Sequence, residues 1–577
     1  MRSRRSTVEL LGTLERSRRR HAPRDRIAKR GAIHALGKRV ILDAALLVRF
    51  HEALCFLRAY PDDREVLGLV EQALDEFGAR VALLRSTGPA AQAATLEETG
   101  IVGTVAYCLP SHPIAAWLSQ RFPRQVEVDW DDVATVEGLR TLLALVIPLF
   151  REEALVEVVG VPCRSWLAAA KVDDSQSGLA WVLGGLERAV RDEAARQVLY
   201  DSLQLRIRWE LQDARSSRTL ARVPVDRVFF HTRPLLRSRG PLRRHSRGPG
   251  VGVRRAEPAE AVALLDLARA SLTARYRETY AFNFANAEDV QVADAGRGVQ
   301  IAWFGVLPSH RLPLRAHYGF LLLKNGVPVG YGDAALLFDW IDSGGGLNIF
   351  ETYRHGESGY IFTRLAMFLY QHLGVRAIHL SGWDIGYQNQ EALDSGAFWF
   401  YYNLGFRPKR TDLRLLAAAE KRRIARAPGY RSSRRMLARL SEAGMFASLD
   451  GRMDPAVRRF EPRRVIQQAT ALAARWSVRR LTTTVAGRLG VSRSRSWSPA
   501  ERRTLERWAA VLALIPDLAG WSARERHRLV EAIREKSGPS EARYLDRLQG
   551  LPRLRAHILR LGGPPAAGAD AVSDAPR

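Results

Sequence analysis

The 577-residue sequence predicts an α/β (α+β) domain built on a mixed sheet and flanked on both sides by α-helical regions. Three observations carry that prediction. Residues 317–337 hold two β-type runs around Lys324-Asn325-Gly326, and an Asn-Gly pair between such runs is a strong hairpin signal, because both residues tolerate positive φ. Residues 346–381 follow the order apolar strand, polar turn, apolar-periodic segment, second strand. That is the pattern of a right-handed βαβ crossover. Before residue 220 and after residue 408, apolar residues recur instead at helical spacing.

Taken in order, residues 1–220 predict an α-rich unit. The first 25 residues are charged and read as a surface helix or frayed end, and segments 40–58, 65–84, 133–155 and 177–200 read as helices, with Pro61-Asp62-Asp63 breaking the first pair. His51, near the apolar face of its helix, reads as a core or cap histidine. Residues 203–211 alternate apolar and polar, and 223–231 form a second β-like run, so together they predict a small sheet within and beside a linker at 221–250. The central domain spans 251–414. It opens with a strand and helix over 251–274, a loop and helix over 276–294 carrying Tyr276, Tyr280, Phe282 and Phe284, and a strand over 300–306. Residues 415–561 predict a helical region, with helices at 413–425, 434–446 and 465–475 and capping boxes at Ser498-Pro499-Ala500-Glu501 and Ser522-Ala523-Arg524-Glu525. Residues 484–493 resemble the first helix and turn of a helix-turn-helix, and the Gly/Pro/Ala-rich stretch 562–577 predicts a disordered tail.

Composition narrows the functional classes. The formal charge is +27 and the isoelectric point about 10.8. A nucleic-acid partner is permitted by that charge but not favoured, because the excess is arginine scattered through every region rather than gathered on one stretch. Cys55, Cys108 and Cys163 stand alone, without Cys-x-x-Cys spacing or a histidine cluster. Neither a disulfide framework nor a metal site is expected, and a reducing cytoplasm is the simplest setting. The longest apolar run, 142–150, is broken by Pro148 and too short to span a bilayer, and no hydrophobic signal core follows the basic N-terminus.

The chemistry concentrates at Glu351-Thr352-Tyr353-Arg354-His355-Gly356-Glu357-Ser358-Gly359-Tyr360. A helix starting near Ser358 leaves its first N–H groups without intrahelical partners at the positive end of the dipole, which suits a phosphate. Gly356 and Gly359 allow close backbone approach. This segment and the later Tyr401-Tyr402-Asn403-Leu404-Gly405-Phe406 resemble motifs of the GNAT superfamily of acyl-CoA-dependent N-acyltransferases, over residues 251–414. Those proteins bind the acyl-CoA pyrophosphate on an Arg/Gln-x-x-Gly-x-Gly/Ala loop that opens a helix, and carry a later Tyr-x-x-Leu-Gly-Phe segment. With Arg354 at the first motif position, Glu357 stands where the family usually has glycine.

The resemblance implies that Tyr353, Arg354, His355, Gly356, Glu357, Ser358, Gly359, Tyr360 and Asn389 contact acyl-CoA as co-substrate, acetyl-CoA being the simplest case. It further implies that Tyr401, or Tyr402 in its place, protonates the leaving thiolate. For the base it points to a carboxylate beside the cradle strand: Glu351 first, with Asp333, Asp339 and Asp342 behind it, and His379 as an outside candidate. The expected reaction is direct transfer to an amine acceptor whose identity the sequence leaves open. Two other readings stay open: a non-catalytic protein using the fold as ligand sensor or scaffold, and a nucleic-acid-associated transferase drawing on charged tRNA.

Overall fold

A computed structural model describes residues 6–147, 149–150, 152, 163–171, 173, 175–236, 240–245, 248, 250–491 and 496–564. The chain is mixed α/β, with a large mixed sheet flanked by helices. The first half carries a small antiparallel sheet of β1 (Val105–Cys108), β2 (Val126–Val128) and β3 (Ile207–Glu210), in the order β1-β3-β2. The large sheet runs from β4 (Gly252–Arg255) through β5 (Ala285–Gly296), β6 (Val299–Val306), β7 (Ala316–Lys324), β8 (Val327–Leu337) and β9 (Trp340–Gly344) to β11 (Ala377–Leu380). Beyond β11 lie β13 (Met445–Ser448) and β12 (Arg407–Pro408), while the two-residue β10 (Asn348–Ile349) pairs with β8.

The predicted hairpin forms as β7 and β8, paired from Lys324↔Val327 to Ala316↔Leu336. Asn325 and Gly326 adopt φ of 50° and 76°, the positive values a tight two-residue turn demands. The predicted crossover forms as well: β9 and β11 are parallel, joined by helix Ser358–His372.

Four expectations are corrected. Residues 223–231 make no strand; they run extended along the hairpin turn, with the Val223 amide donating to the Gly326 carbonyl at 3.0 Å and the Phe229 amide to Asn325 Oδ1 at 2.8 Å. The partners of β3 are β1 and β2, within the stretch read as helical. In 276–294 only Tyr280–Asn283 is helical, and the rest is mostly the long strand β5. The helix predicted to reach Phe446 stops at Leu440, and β13 carries the sheet past residue 414. The helix predicted over 133–155 is described as Val133–Val146. Residues 153–155, 237–239, 246–247 and 249 of the linker, and 565–577 lie outside the described residues.

One continuous apolar core runs from the N-terminal helices, through Leu11, Phe50 and Phe56, across both faces of the large sheet and into the C-terminal bundle around Trp508 and Leu545. Residues 106–211 form a second core around β1–β3, against Ala270 and Ala274 of the central region. Among the described residues no helix is long and apolar enough to cross a membrane.

Candidate functional site

The site begins where the large sheet divides. β9 and β11 pair only at Ala377↔Trp340 and Ile378↔Ile341. Past Gly344-Gly345-Gly346 the chain does not continue alongside β11; it returns to β8, where β10 pairs Asn348↔Tyr331 and Ile349↔Gly330. β10 and the end of β11 therefore diverge. A cleft of about 200 Å³ occupies the opening, walled by Leu347 and Asn348, the start of helix Ser358–His372, Asp384, Asn389, Glu391 and the aromatic helix Ala397–Asn403.

Tyr401 is buried on the aromatic helix, and its hydroxyl reaches the cleft wall. The Leu347 amide donates to the Tyr401 oxygen at 2.7 Å, and the hydroxyl lies 3.5 Å from the Leu347 carbonyl. Burial pushes the phenol well above its ordinary value, against the opposing Leu347 amide, so it holds a proton at neutral pH. Tyr402 does not line the cleft; its ring stacks on Phe398 and lies under Arg407.

The loop expected to form the cradle divides into two faces. On the cleft side are Arg354 and Ser358. The backbone amides of Ser358, Gly359 and Tyr360 have no hydrogen-bond partner among the described residues, as the first turn of a helix leaves them. Arg354 Nη2 donates to Glu391 at 2.5 Å. Asn389 caps helix Gln390–Ser395, accepting from the Ala392 amide at 3.1 Å, and lines the same cleft.

The other face turns toward the N-terminal helices. Gly356 sits against Tyr60, where a Cβ would lie 2.5 Å from the phenol oxygen. Tyr353 is buried, His355 exposed, and the Tyr360 hydroxyl donates to the Ala295 carbonyl at 2.8 Å. Glu357 is fully buried, with its carboxylate 2.6 Å from Arg297 Nη2 and 3.2 Å from Lys324 Nζ, and it accepts from the Leu236 amide at 2.9 Å. The residue at the family's glycine position thus points its charge away from the cleft and into an ion cluster. Tyr353, His355, Gly356, Glu357, Gly359 and Tyr360 do not join Arg354, Ser358, Asn389 and Tyr401 on the cleft wall.

The carboxylates sort differently from the sequence expectation. Glu351 is exposed and lines a neighbouring cavity, not the cleft beside Tyr401. Asp339 pairs with Arg555, Asp342 with Arg315, and Asp333 lies 3.4 Å from His317. His379 is held by stacking on Phe446 and by the Asp342 carbonyl, 3.2 Å from its Nδ1. Two carboxylates line the cleft: Glu391, paired with Arg277 and Arg354, and Asp384, which sequence reasoning missed. Its Oδ2 accepts from the Ser381 amide and hydroxyl, both at 2.8 Å, while Oδ1 has no hydrogen bond among the described residues. Burial pushes its pKa up, partly offset by those two bonds. The Ser381-x-x-Asp384 capping box directly after a predicted strand was the signal that could have found it.

The chain matches no protein-family model, no curated protein and no solved structure. The geometry alone therefore states the chemistry. One cleft is lined by Ser358 at an open helix start beside an arginine, a protonated buried phenol, and a carboxylate with one free oxygen. Such a set can hold an anion, give a proton and take one.

Proposed function

We propose that the chain is an acyl-CoA-dependent N-acyltransferase. The observation that carries this reading is the meeting of Tyr401 with Ser358, whose helix-start amide is open, and Arg354 in one cleft, where β10 and β11 part. Arg354 and the Ser358 end of the helix would hold the pyrophosphate, with the acyl-bearing arm directed toward Tyr401.

In the transfer, the acceptor ammonium gives a proton to Asp384 and the neutral nitrogen attacks the thioester carbonyl. The N–C bond forms and the C–S bond breaks. Tyr401 protonates the departing thiolate, and the second nitrogen proton leaves to solvent, restoring the phenol by exchange. Asp384 takes the base role because it shares the wall with Tyr401, whereas Glu351 lines only the neighbouring cavity.

Calorimetric titration with acetyl-CoA and with coenzyme A tests the reading, beside an Arg354→Ala, Ser358→Glu double variant. Saturable binding by the wild type, lost in the variant, is the expected result. A folded wild-type protein that binds neither ligand would overturn it and leave a binding scaffold.

A further inference from the structure

A second cavity, of about 590 Å³, opens beside the cleft and shares Asn348, Ile349, Arg354 and Glu391 with it. Its size falls within the roughly 300–1,000 Å³ typical of small-molecule sites. Four guanidinium groups line it, and three are already satisfied. Arg218 binds Glu52, Thr352 and the Thr99 carbonyl, and Arg277 and Arg354 both bind Glu391.

Arg275 is the exception. It is partly buried, its guanidinium carbon lies 4.0 Å over the Phe350 ring, and its Nη1 donates to the Ser271 carbonyl at 2.7 Å. No carboxylate pairs with it among the described residues. A guanidinium withdrawn from water without a counter-ion is costly unless an anion arrives to meet it. Burial and the nearby Arg218 lower its pKa to about 10, which leaves it cationic at neutral pH.

The residue after Phe350 is Glu351, which lines the same cavity, and its side chain has no hydrogen bond or ion pair among the described residues. The cavity thus offers one cation and one anion that lack an ion-pair partner among the described residues and stand more than ion-pair distance apart. We infer that this cavity receives the acyl acceptor and that the acceptor is an amino acid, its carboxylate on Arg275 and its ammonium at Glu351. Asn348 and Ile349 line both cavities, so the acceptor site adjoins the cleft. This assignment rests on the transferase reading for the fate of the amine, but the zwitterion site itself does not.

The test is binding of the twenty amino acids, each beside its α-amide, followed by ligand-observed NMR on the wild-type full chain and on Arg275→Gln and Arg275→Lys. At least one amino acid should bind, its amide about 10- to 100-fold more weakly, as expected for loss of a charge-assisted hydrogen-bonded pair. Arg275→Gln should lose affinity for the acid by a similar factor while retaining acetyl-CoA affinity, and Arg275→Lys should recover part of it. Amides binding as well as acids, no amino acid binding, or Arg275→Gln binding like wild type would each overturn the assignment. The wild-type comparison of acid with amide stands even if a variant fails to fold. Amino-acid binding through Arg275 in a protein that ignores acetyl-CoA would sink the transferase reading and leave this site standing. Acetyl-CoA binding with amino-acid binding indifferent to Arg275 would do the reverse.

Discussion

Glu357→Gln removes the charge of a fully buried carboxylate while keeping its shape. In the wild type that carboxylate faces Arg297 and Lys324, and Lys324 Nζ also donates to the Arg297 carbonyl at 2.5 Å. Burial pushes Lys324 down to about 8, with Glu357 acting in the opposite direction. Without that carboxylate, Lys324 is left buried beside a second cation. Breaking one partner out of a buried ion pair costs about 3–5 kcal/mol. Two features of the site put this variant at the lower end, about 3 kcal/mol. The glutamine oxygen still accepts from the Leu236 amide, and Lys324 can shed its proton, which caps the penalty. Adding Lys324→Met removes the stranded charge, so the double variant should be no less stable than Glu357→Gln alone, a coupling of about 1–3 kcal/mol. Urea unfolding at pH 7, with midpoints and slopes compared across the cycle, measures this. A loss below about 1 kcal/mol for Glu357→Gln, or additive losses in the double variant, would refute the argument that the cluster holds the loop.

Tyr401→Phe should lower the acyl-transfer rate by about 10²–10⁴-fold with acetyl-CoA affinity nearly unchanged, and thermal melting should register the Leu347 amide left without its acceptor, about 1–3 kcal/mol. Asp384 acts as base only when ionised, so kcat/KM should rise with pH along a limb displaced above the usual carboxylate range, because burial raises its pKa; Asp384→Asn should abolish that limb in a pH–rate profile. Lys324 and Lys536 are both held near 8 by burial against an ordinary value of 10.5. Between about pH 8 and 10 the unfolded chain therefore binds more protons than the folded one, and unfolding free energy should increase with pH across that window, less steeply in Lys324→Met; a flat profile would contradict the burial of these two amines.

Legibility in the sequence followed the range of the interactions. The β7–β8 hairpin and the helix starting at Ser358 are written in local signals, an Asn-Gly turn and a polar loop before a periodic run, and both form where the sequence places them. β13 was hidden because Met445-Phe446-Ala447-Ser448 follows a helix at a distance where apolar residues read as its continuation; only pairing with His379 and its neighbours makes it a strand. β1 and β2 are four and three residues long, too short for alternation to show. Glu357 looked like an anion in a phosphate loop because its partners lie 33 and 60 residues away, on β7 and just after β5. Asp384 was readable as a cap, but its place on the cleft wall depends on the aromatic helix packing against the short helix Gly382–Ile385 that carries it.

Where β10 and β11 part, no strand pairs with Leu347 on its β11 side, and a side chain supplies what a neighbouring backbone would have given. The Tyr401 oxygen takes the Leu347 N–H, and its hydroxyl lies toward the carbonyl of the same residue. These two contacts have different fates when the phenol gives up its proton. The contact to the carbonyl is lost, whereas the N–H bond to an oxygen gaining negative charge shortens and strengthens. The sheet's missing rung thus doubles as a latch. It ties the cleft wall at rest, and under the proposed transfer it would grip harder as the tyrosine became an anion.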